Sequence, residues 1–215
     1  MKRSKLCRTK CKSRDEWIAC RYNGIGASES AAVVGLSPWL TSSELWQIKT
    51  GMKQPADLSG NEAVSTGNRM EPILRNLFKA MHPQMKLTYH QYDLLSQKDR
   101  PWLFATLDGE LKDGKKNGIL EIKTATPTGA SGWADWKDQI PEHYMVQICH
   151  QLLATGYDFV ILYACLFTRD NDFTVREYRF NREDCQQDMD WLLEKETEFW
   201  NKIQKNEVPG LTILL

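Results

Sequence analysis

One run of the sequence constrains the fold most strongly: nine consecutive residues, Phe159–Phe167, contain no charged side chain. A strand that is apolar on both faces is typical of the inside of a sheet that helices cover. The run is too short to span a membrane as a helix. We therefore predict an α/β (α+β) fold, in which helices flank a central mixed β-sheet, and no membrane partner.

Caps and apolar spacing predict the helices around this sheet. They are expected at 13–21, 29–34, 41–51, 61–81, 141–154 and 182–206. Ser28 is expected to be the N-cap of the second helix, and Gly35 its stop. One face of the fourth helix is expected to be buried, namely Met70, Ile73, Leu74, Leu77, Phe78 and Met81. Further strands are predicted at 87–95, 102–107, 119–124 and 173–180, the first three forming a meander.

The length of 215 residues indicates a single domain. Lys plus Arg and Asp plus Glu number 28 each, so net charge does not indicate a polyanionic partner. The first 14 residues carry seven Lys or Arg and no acid. Residues 1–12 are therefore expected to be a basic, flexible arm, and both a nucleic-acid contact and a disordered tail fit this composition. A secretory signal is not expected, because no apolar segment follows.

The six cysteines include no Cys-x-x-Cys pair, so neither a zinc site nor an iron-sulfur site is predicted. Free thiols in a chain without an export signal indicate the reducing cytoplasm. The last residues, Ile213, Leu214 and Leu215, form a hydrophobic end that we expect to contact another subunit.

The candidate chemistry lies between residues 107 and 124. Asp108 ends an apolar run, a Gly- and Asn-containing turn follows, and Glu121 and Lys123 lie two residues apart on the next predicted strand. Because side chains alternate along a strand, Glu121 and Lys123 share a face, and the turn would bring Asp108 to them. Two carboxylates can bind Mg²⁺, and a lysine can orient water or stabilise charge on a phosphate. The alternative is a solvated charge pair beside an ordinary turn.

Three other groups of polar residues have two interpretations each. Arg21 and Ser28 flank a glycine-containing turn that leads into a helix, which suits a phosphate but also fits a plain helix cap with a surface arginine. Glu71 can pair with Arg75 four residues on, or can reach the metal site as a third carboxylate. A polar stripe on the helix after Pro141 can face water or lie over an active site. Its members are Tyr144, Gln147 and Gln151.

These residues occur in an order that resembles a known family. The motifs are Arg21-x6-Ser28, Gly67-x3-Glu71, Leu107-Asp108-Gly109, Glu121-Ile122-Lys123 and Tyr144-x2-Gln147. Together they resemble the phage lambda-type exonucleases, also called YqaJ-like viral recombinases, of the PD-(D/E)XK nuclease superfamily, over about residues 13–170. One departure is Leu107, which stands where many members have proline. That proline shapes the strand and does no chemistry.

The resemblance implies a restriction-endonuclease-like core and a role for each motif residue. Asp108, Glu121 and the backbone carbonyl of Ile122 would bind Mg²⁺, two ions per site and replaceable by Mn²⁺, with Glu71 as a further ligand. Lys123 would be the catalytic lysine, and Gln147 would lie near the water and the scissile phosphate. Tyr144 and Gln151 are further candidates beside Gln147. The resemblance also implies that a 5′-phosphate would be received by Arg21, Ser28 and Thr106.

The activity that the resemblance implies is a Mg²⁺-dependent exonuclease that digests one strand of linear double-stranded DNA from its 5′ end. Mononucleotides would be released and a 3′ overhang left for a single-strand annealing protein in recombination. Family members can form trimeric rings, so a homotrimer is expected. The alternatives are a PD-(D/E)XK endonuclease and a catalytically silent DNA-binding module.

Overall fold

The computed structural model describes residues 4–170 and 172–210. Within them the strands are β1 (Leu6–Lys10), β2 (Ile25–Gly26), β3 (Lys86–Thr88), β4 (Asp93–Gln97), β5 (Arg100–Ala105), β6 (Gly109–Asp113), β7 (Lys116–Ala125), β8 (Phe159–Phe167) and β9 (Phe173–Asn181). The helices are α1 (Arg14–Arg21), α2 (Ser30–Val33), α3 (Ser42–Lys49), α4 (Glu62–Met81), α5 (Gly129–Ala134), α6 (Glu142–Thr155) and α7 (Gln186–Lys205).

A five-stranded mixed sheet, ordered β3-β6-β7-β8-β9, forms the centre of the fold. Strands β7 and β8 run parallel and the other pairs are antiparallel. On one face, α4 places Leu74 and Phe78 against Leu120, Ile122 and Ile161. The other face meets α6 and α7 in the larger core. Strand β8 is therefore apolar because both of its faces are covered, and the predicted fold class is confirmed.

A second sheet, ordered β1-β4-β5-β2, corrects the predicted meander. The expected strand 87–95 is divided: β3 joins the five-stranded sheet and β4 joins the second one, with Tyr92 between them at a φ of 65°. The segment 102–107 was wrongly expected to pair with 119–124, because the hairpin turn is only two residues long. Gly114, with a φ of 58°, lies between the paired Asp113 and Lys116, so that β6 is the partner of β7.

Several predicted helix details also change. Ser28 is not an N-cap: it lies inside a 3-10 turn, Ala27–Glu29, that precedes α2. Helix α7 begins at Gln186, because the segment after β9 first forms a turn in which the Asn181 side chain donates to Asp184. The expected buried face of α4 is only partly buried. Leu74 and Phe78 are buried, whereas Ile73 is 57% and Met81 66% exposed, and Leu77 is also exposed, because α4 packs on β7 and β8 along one edge only.

The N-terminal region corrects the expectation of a flexible arm. Residues Leu6–Lys10 form β1, which pairs antiparallel with β4 along its whole length. Arg8 also forms ion pairs with Asp93 and Glu110, so this basic segment is part of a sheet. The expected contact of the hydrophobic C-terminus falls on residues 211–215, outside the described residues. Among the described residues, no helix has the length and apolarity needed to cross a membrane.

Candidate active site

Asp108, Glu121 and Lys123 meet at the link between the two sheets. Asp108 follows β5, and its Oδ2 accepts a hydrogen bond of 2.7 Å from the backbone N–H of Ile122. Gly109 pairs with Leu120, so the adjacent positions Asp108 and Glu121 are brought together. Lys123 Nζ lies 2.5 Å from Glu121 Oε1. The predicted convergence therefore occurs, although through the hairpin β6–β7, and the interpretation as an exposed charge pair is excluded, since Glu121 is only 3% exposed.

The polar stripe of α6 faces this carboxylate and not the solvent. Gln147 Nε2 donates to Glu121 Oε1 at 2.6 Å, and Gln151 Nε2 donates to Glu121 Oε2 at 2.5 Å. The ring of Tyr144 lies beside the lysine, with Lys123 Nζ 5.2 Å from the ring centroid. The neutral amides donate to Glu121 without bringing another negative charge next to this buried carboxylate.

The electrostatics of the site are those of a crowded anionic centre. Burial raises the pKa of Asp108 well above its usual range, and the nearby charges of Glu121 and Glu71 raise it further. Burial disfavours the charged form of Lys123, but the carboxylates of Glu121 and Asp108 outweigh this and raise its pKa. The lysine is therefore an ammonium at neutral pH. As an ammonium it can stabilise negative charge and orient water.

For Glu71 the structure shows the predicted ion pair, whereas its role as a third metal-binding carboxylate stays a prediction. Its carboxylate forms an ion pair with Arg75, four residues on. Arg75 Nε in turn donates to the backbone carbonyl of Asp108 at 2.6 Å, so the pair lies directly behind the site. Helix α4 approaches β7 closely at Gly67, where a Cβ atom would lie 3.3 Å from the Thr124 hydroxyl. The spacing Gly67-x3-Glu71 thus places a glutamate one turn after the point of contact.

The donor set fits a hard divalent cation. In residues 4–170 and 172–210, no three His, Cys, Asp or Glu side chains are grouped to bind one metal ion. Asp108 and Glu121 with the carbonyl of Ile122 would leave the remaining positions to water, which is how Mg²⁺ is commonly held. Burial and, after it, the charges of the neighbouring carboxylates raise the pKa of Asp108, and a bound cation would relieve the repulsion between these carboxylates.

A second polar cluster surrounds Arg21. Its Nη2 lies 3.2 Å from the Ser28 hydroxyl and 3.0 Å from Glu29 Oε1. The guanidinium also stacks over Trp17, at 4.8 Å from the ring centroid. The Trp17 indole donates to the Thr106 hydroxyl at 2.9 Å. Trp17 therefore connects Thr106 to Arg21, which itself contacts Ser28. Thr106 is two residues from Asp108, so the two clusters share the β5–β6 link.

Sequence reasoning missed Trp17, Glu29 and Lys49 in this cluster. Lys49 Nζ contacts Glu29 Oε2 at 2.8 Å, and Glu29 Oε2 also accepts from the Gly26 N–H at 2.8 Å. Trp17 precedes Arg21 by four residues on α1, a helical spacing that could have indicated the contact. Lys49 gave no local signal, because it reaches Glu29 across the space between two helices.

The mixed sheet, with an Asp before a hairpin and a Glu-x-Lys on the next strand, has the fold expected of a PD-(D/E)XK core. Residues 16–158 match the family described as the YqaJ-like viral recombinase domain. The chain belongs to this family.

One relative and one solved protein illustrate the match. The uncharacterized protein YqaJ of Bacillus subtilis is 32% identical over 200 residues, which is 93% of this chain and 59% of YqaJ. This chain therefore spans about three fifths of that relative. The crystal structure of LHK-Exo, an alkaline exonuclease from Laribacter hongkongensis, is 19% identical with a TM-score of 0.66, over 89% of this chain and 93% of that one. LHK-Exo in complex with dAMP gives a TM-score of 0.64 at 18% identity, with the same coverage. These likenesses show the fold.

Proposed function

We propose that this chain is a Mg²⁺-dependent 5′-to-3′ exonuclease that digests one strand of linear double-stranded DNA to mononucleotides and leaves a 3′ overhang. The observation that carries the proposal is that the carboxylate site and the Arg21 cluster both include a residue of the short segment between β5 and β6. Asp108, beside Glu121 and Lys123, is separated by one residue from Thr106, which belongs to the cluster of Arg21. A cation-binding centre next to an anion-binding pocket suits a nuclease that holds a terminal phosphate while it cuts the following bond.

The residues divide the work in the following way. Asp108, Glu121 and the Ile122 carbonyl would hold Mg²⁺, with Glu71 behind them, and a bound divalent cation acidifies water and neutralises charge on the scissile phosphate. Mn²⁺ also prefers oxygen ligands and is expected to replace Mg²⁺. The ammonium of Lys123 orients the attacking water and stabilises negative charge as it grows on the phosphate. Gln147 and Gln151 hold the Glu121 carboxylate in one orientation, while Tyr144 limits the motion of Lys123.

The second cluster supports the proposed polarity of digestion. Arg21, Ser28 and Thr106 would receive the 5′-phosphate of the strand being digested, because a guanidinium and two hydroxyls present donors to phosphate oxygens. Each cut creates a new 5′-phosphate that can enter the same pocket. The relative in fold that has been crystallised with dAMP, LHK-Exo, is in keeping with mononucleotide products.

The cellular setting is proposed on family membership. The 3′ overhang would be bound by a single-strand annealing protein, in the host cytoplasm, during DNA recombination. A trimeric ring around the duplex would give processivity to a chain without net positive charge. Light scattering on the purified protein tests the trimer, which a monomer at working concentration would contradict. Co-purification with the annealing protein tests that partnership.

The activity is tested by timed product analysis on three substrates with Mg²⁺: a linear duplex labelled at one 5′ end, the same duplex labelled at a 3′ end, and a closed circle. We expect labelled mononucleotide from the first at the earliest times, a progressively shorter strand from the second and an intact circle. Cutting of the circle would instead identify an endonuclease. Binding of the linear duplex without any cutting would identify a silent DNA-binding module.

A further inference from the structure

Lys49, at the end of α3, is a charged side chain in an unusual position, because its side chain is only 2% exposed. Lysine is almost never fully buried unless it is paired. Its ammonium has two partners in the Arg21 cluster. Nζ donates to the backbone carbonyl of Arg21 at 2.7 Å and contacts Glu29 Oε2 at 2.8 Å. Lys49 therefore touches both the backbone of the phosphate-binding candidate and the acid that pairs with it.

Glu29 lies between two cations. Its Oε1 is 3.0 Å from Arg21 Nη2, and its Oε2 receives Lys49 and the N–H of Gly26. Burial works against the charge of Glu29, but Arg21 and Lys49 outweigh it and lower its pKa, so the carboxylate is ionised at neutral pH. Arg21 and Glu29 alone would cancel to a neutral pocket. With Lys49 the three side chains keep one net positive charge.

Lys49 also compensates Glu29 when Arg21 turns to another anion. A phosphate that takes the guanidinium competes with Glu29 for it, and a buried carboxylate that loses its only cation is strongly unfavourable. Because Lys49 holds the opposite oxygen, Glu29 stays paired while Arg21 is shared with the ligand. The hydrogen bond to the Arg21 carbonyl keeps this second cation fixed at the end of α1.

We propose that Lys49 is a positioning and specificity-determining residue for phosphorylated DNA ends, which acts through Glu29 and supplies the net positive charge of the Arg21 pocket. This inference rests on the proposed function, in which that pocket receives the 5′-phosphate. Lys49 does not touch the phosphate. It sets how strongly the pocket attracts a terminal phosphate relative to a terminal hydroxyl.

A packing role for Lys49 makes a different prediction. If the side chain only joined α3 to the end of α1, its loss would weaken the binding of phosphorylated and hydroxyl ends alike. A role through charge changes their ratio, and that ratio can be restored without restoring the lysine. If Glu29 is removed together with Lys49, Arg21 is the one charged side chain left of the three. The pocket then has the same net charge as in the natural chain.

The experiment compares Lys49→Met, Glu29→Gln and the double variant with the natural chain. Fluorescence anisotropy in EDTA measures the affinity for a duplex with a 5′-phosphate and for the same duplex with a 5′-hydroxyl, so that no strand is cut. We expect Lys49→Met to lower the phosphate-to-hydroxyl affinity ratio about tenfold or more. Glu29→Gln is expected to keep or raise this ratio. The double variant is expected to recover most of the phosphate preference that Lys49→Met loses.

Equal loss on both duplexes in Lys49→Met, or a double variant that is folded by circular dichroism and recovers no preference, would overturn the inference. If Lys49→Met does not fold, Glu29→Gln is compared with the double variant, because neither buries an unpaired carboxylate: a higher ratio in Glu29→Gln, which keeps Lys49, supports the charge role, and equal ratios refute it. If the natural chain binds both ends equally, the phosphate pocket of the proposed function fails as well. A preference in the natural chain that Lys49→Met leaves intact refutes only the role of Lys49.

Discussion

The buried side chain of Gln151 donates a hydrogen bond of 2.5 Å to Oε2 of Glu121, the carboxylate at the centre of the candidate site. Gln147, one turn earlier on α6, donates to the other oxygen. Two neutral donors fix the plane of the carboxylate and leave its negative charge intact. A metal-binding carboxylate held in this way is oriented before the ion arrives, as outer partners of metal ligands commonly achieve.

Replacement of Gln151 by Leu is therefore expected to lower kcat/KM for duplex digestion, and the apparent affinity for Mg²⁺, by about 10- to 100-fold. The leucine removes one donor from Glu121 without adding a charge. Initial rates over a Mg²⁺ titration measure both quantities. Gln186→Leu is the matched control, because the Gln186 side chain donates to the exposed Asp190 on α7, away from the candidate site. Unchanged metal dependence in a folded Gln151→Leu protein would contradict the orienting role.

Lys123→Met should remove the ammonium while keeping the length of the side chain. Because the lysine is positively charged and 2.5 Å from Glu121, we expect kcat to fall by about 100-fold or more, as when one donor to a developing anion is lost. DNA binding, measured by anisotropy in EDTA, should persist. Near-normal cutting by Lys123→Met would show that the ammonium has no part in the chemistry. Lys115→Met is the control, because Lys115 lies in the β6–β7 turn, at the end of the hairpin away from the candidate site.

Removal and replacement of the divalent ion test the carboxylate pair directly. EDTA should abolish digestion, and Mg²⁺ or Mn²⁺ should restore it. Since Asp108 and Glu121 repel each other in the metal-free protein, Mg²⁺ should also raise Tm, by binding the folded state alone. Asp108→Asn removes one ligand and should cancel this rise. An equal rise in Asp108→Asn would mean that the stabilising ion binds elsewhere.

Local chemistry made several parts of the molecule predictable from sequence. The apolar run of β8, the capped start of α1 at Ser13 and the stop of α6 at Gly156 each depend on residues that are neighbours in the chain. The shared face of Glu121 and Lys123 is likewise fixed by strand geometry. These features could be predicted because little tertiary context is needed to decide them.

The partners of these elements could not be predicted in the same way. Strands 102–107 and 119–124 lie in different sheets because of a two-residue turn at Gly114, and a one-residue change in turn length would alter every pairing. The exposure of Ile73 depends on which edge of α4 meets the sheet. Lys49 reaches Glu29 from another helix, a contact to which no spacing in the sequence points.

A buried ion pair fixes the helix that carries Gln147 and Gln151. His150, between them on α6, is fully buried, and its Nδ1 lies 2.6 Å from Glu196 Oε1 on α7. Its Nε2 lies 2.9 Å from the carbonyl of Phe104 on β5. Because both ring nitrogens face acceptor oxygens, the imidazolium form can donate a hydrogen bond from each of them. Burial opposes this charge, but Glu196, the carbonyl of Phe104 and the more distant charge of Glu29 outweigh it and raise the pKa of His150.

The stabilisation by this pair is expected to depend on pH. A histidine whose folded pKa lies above the unfolded value of about 6.5 contributes fully below that value, and the contribution is lost as pH rises through the folded pKa. Urea unfolding measured from pH 6 upward should show a falling free energy of unfolding. His150→Leu should cost about 3–5 kcal/mol, because Glu196 is left buried without its cation. His150→Leu with Glu196→Leu should recover much of that cost and flatten the pH dependence of the free energy of unfolding. If the double variant kept the same pH dependence, other groups would be its cause.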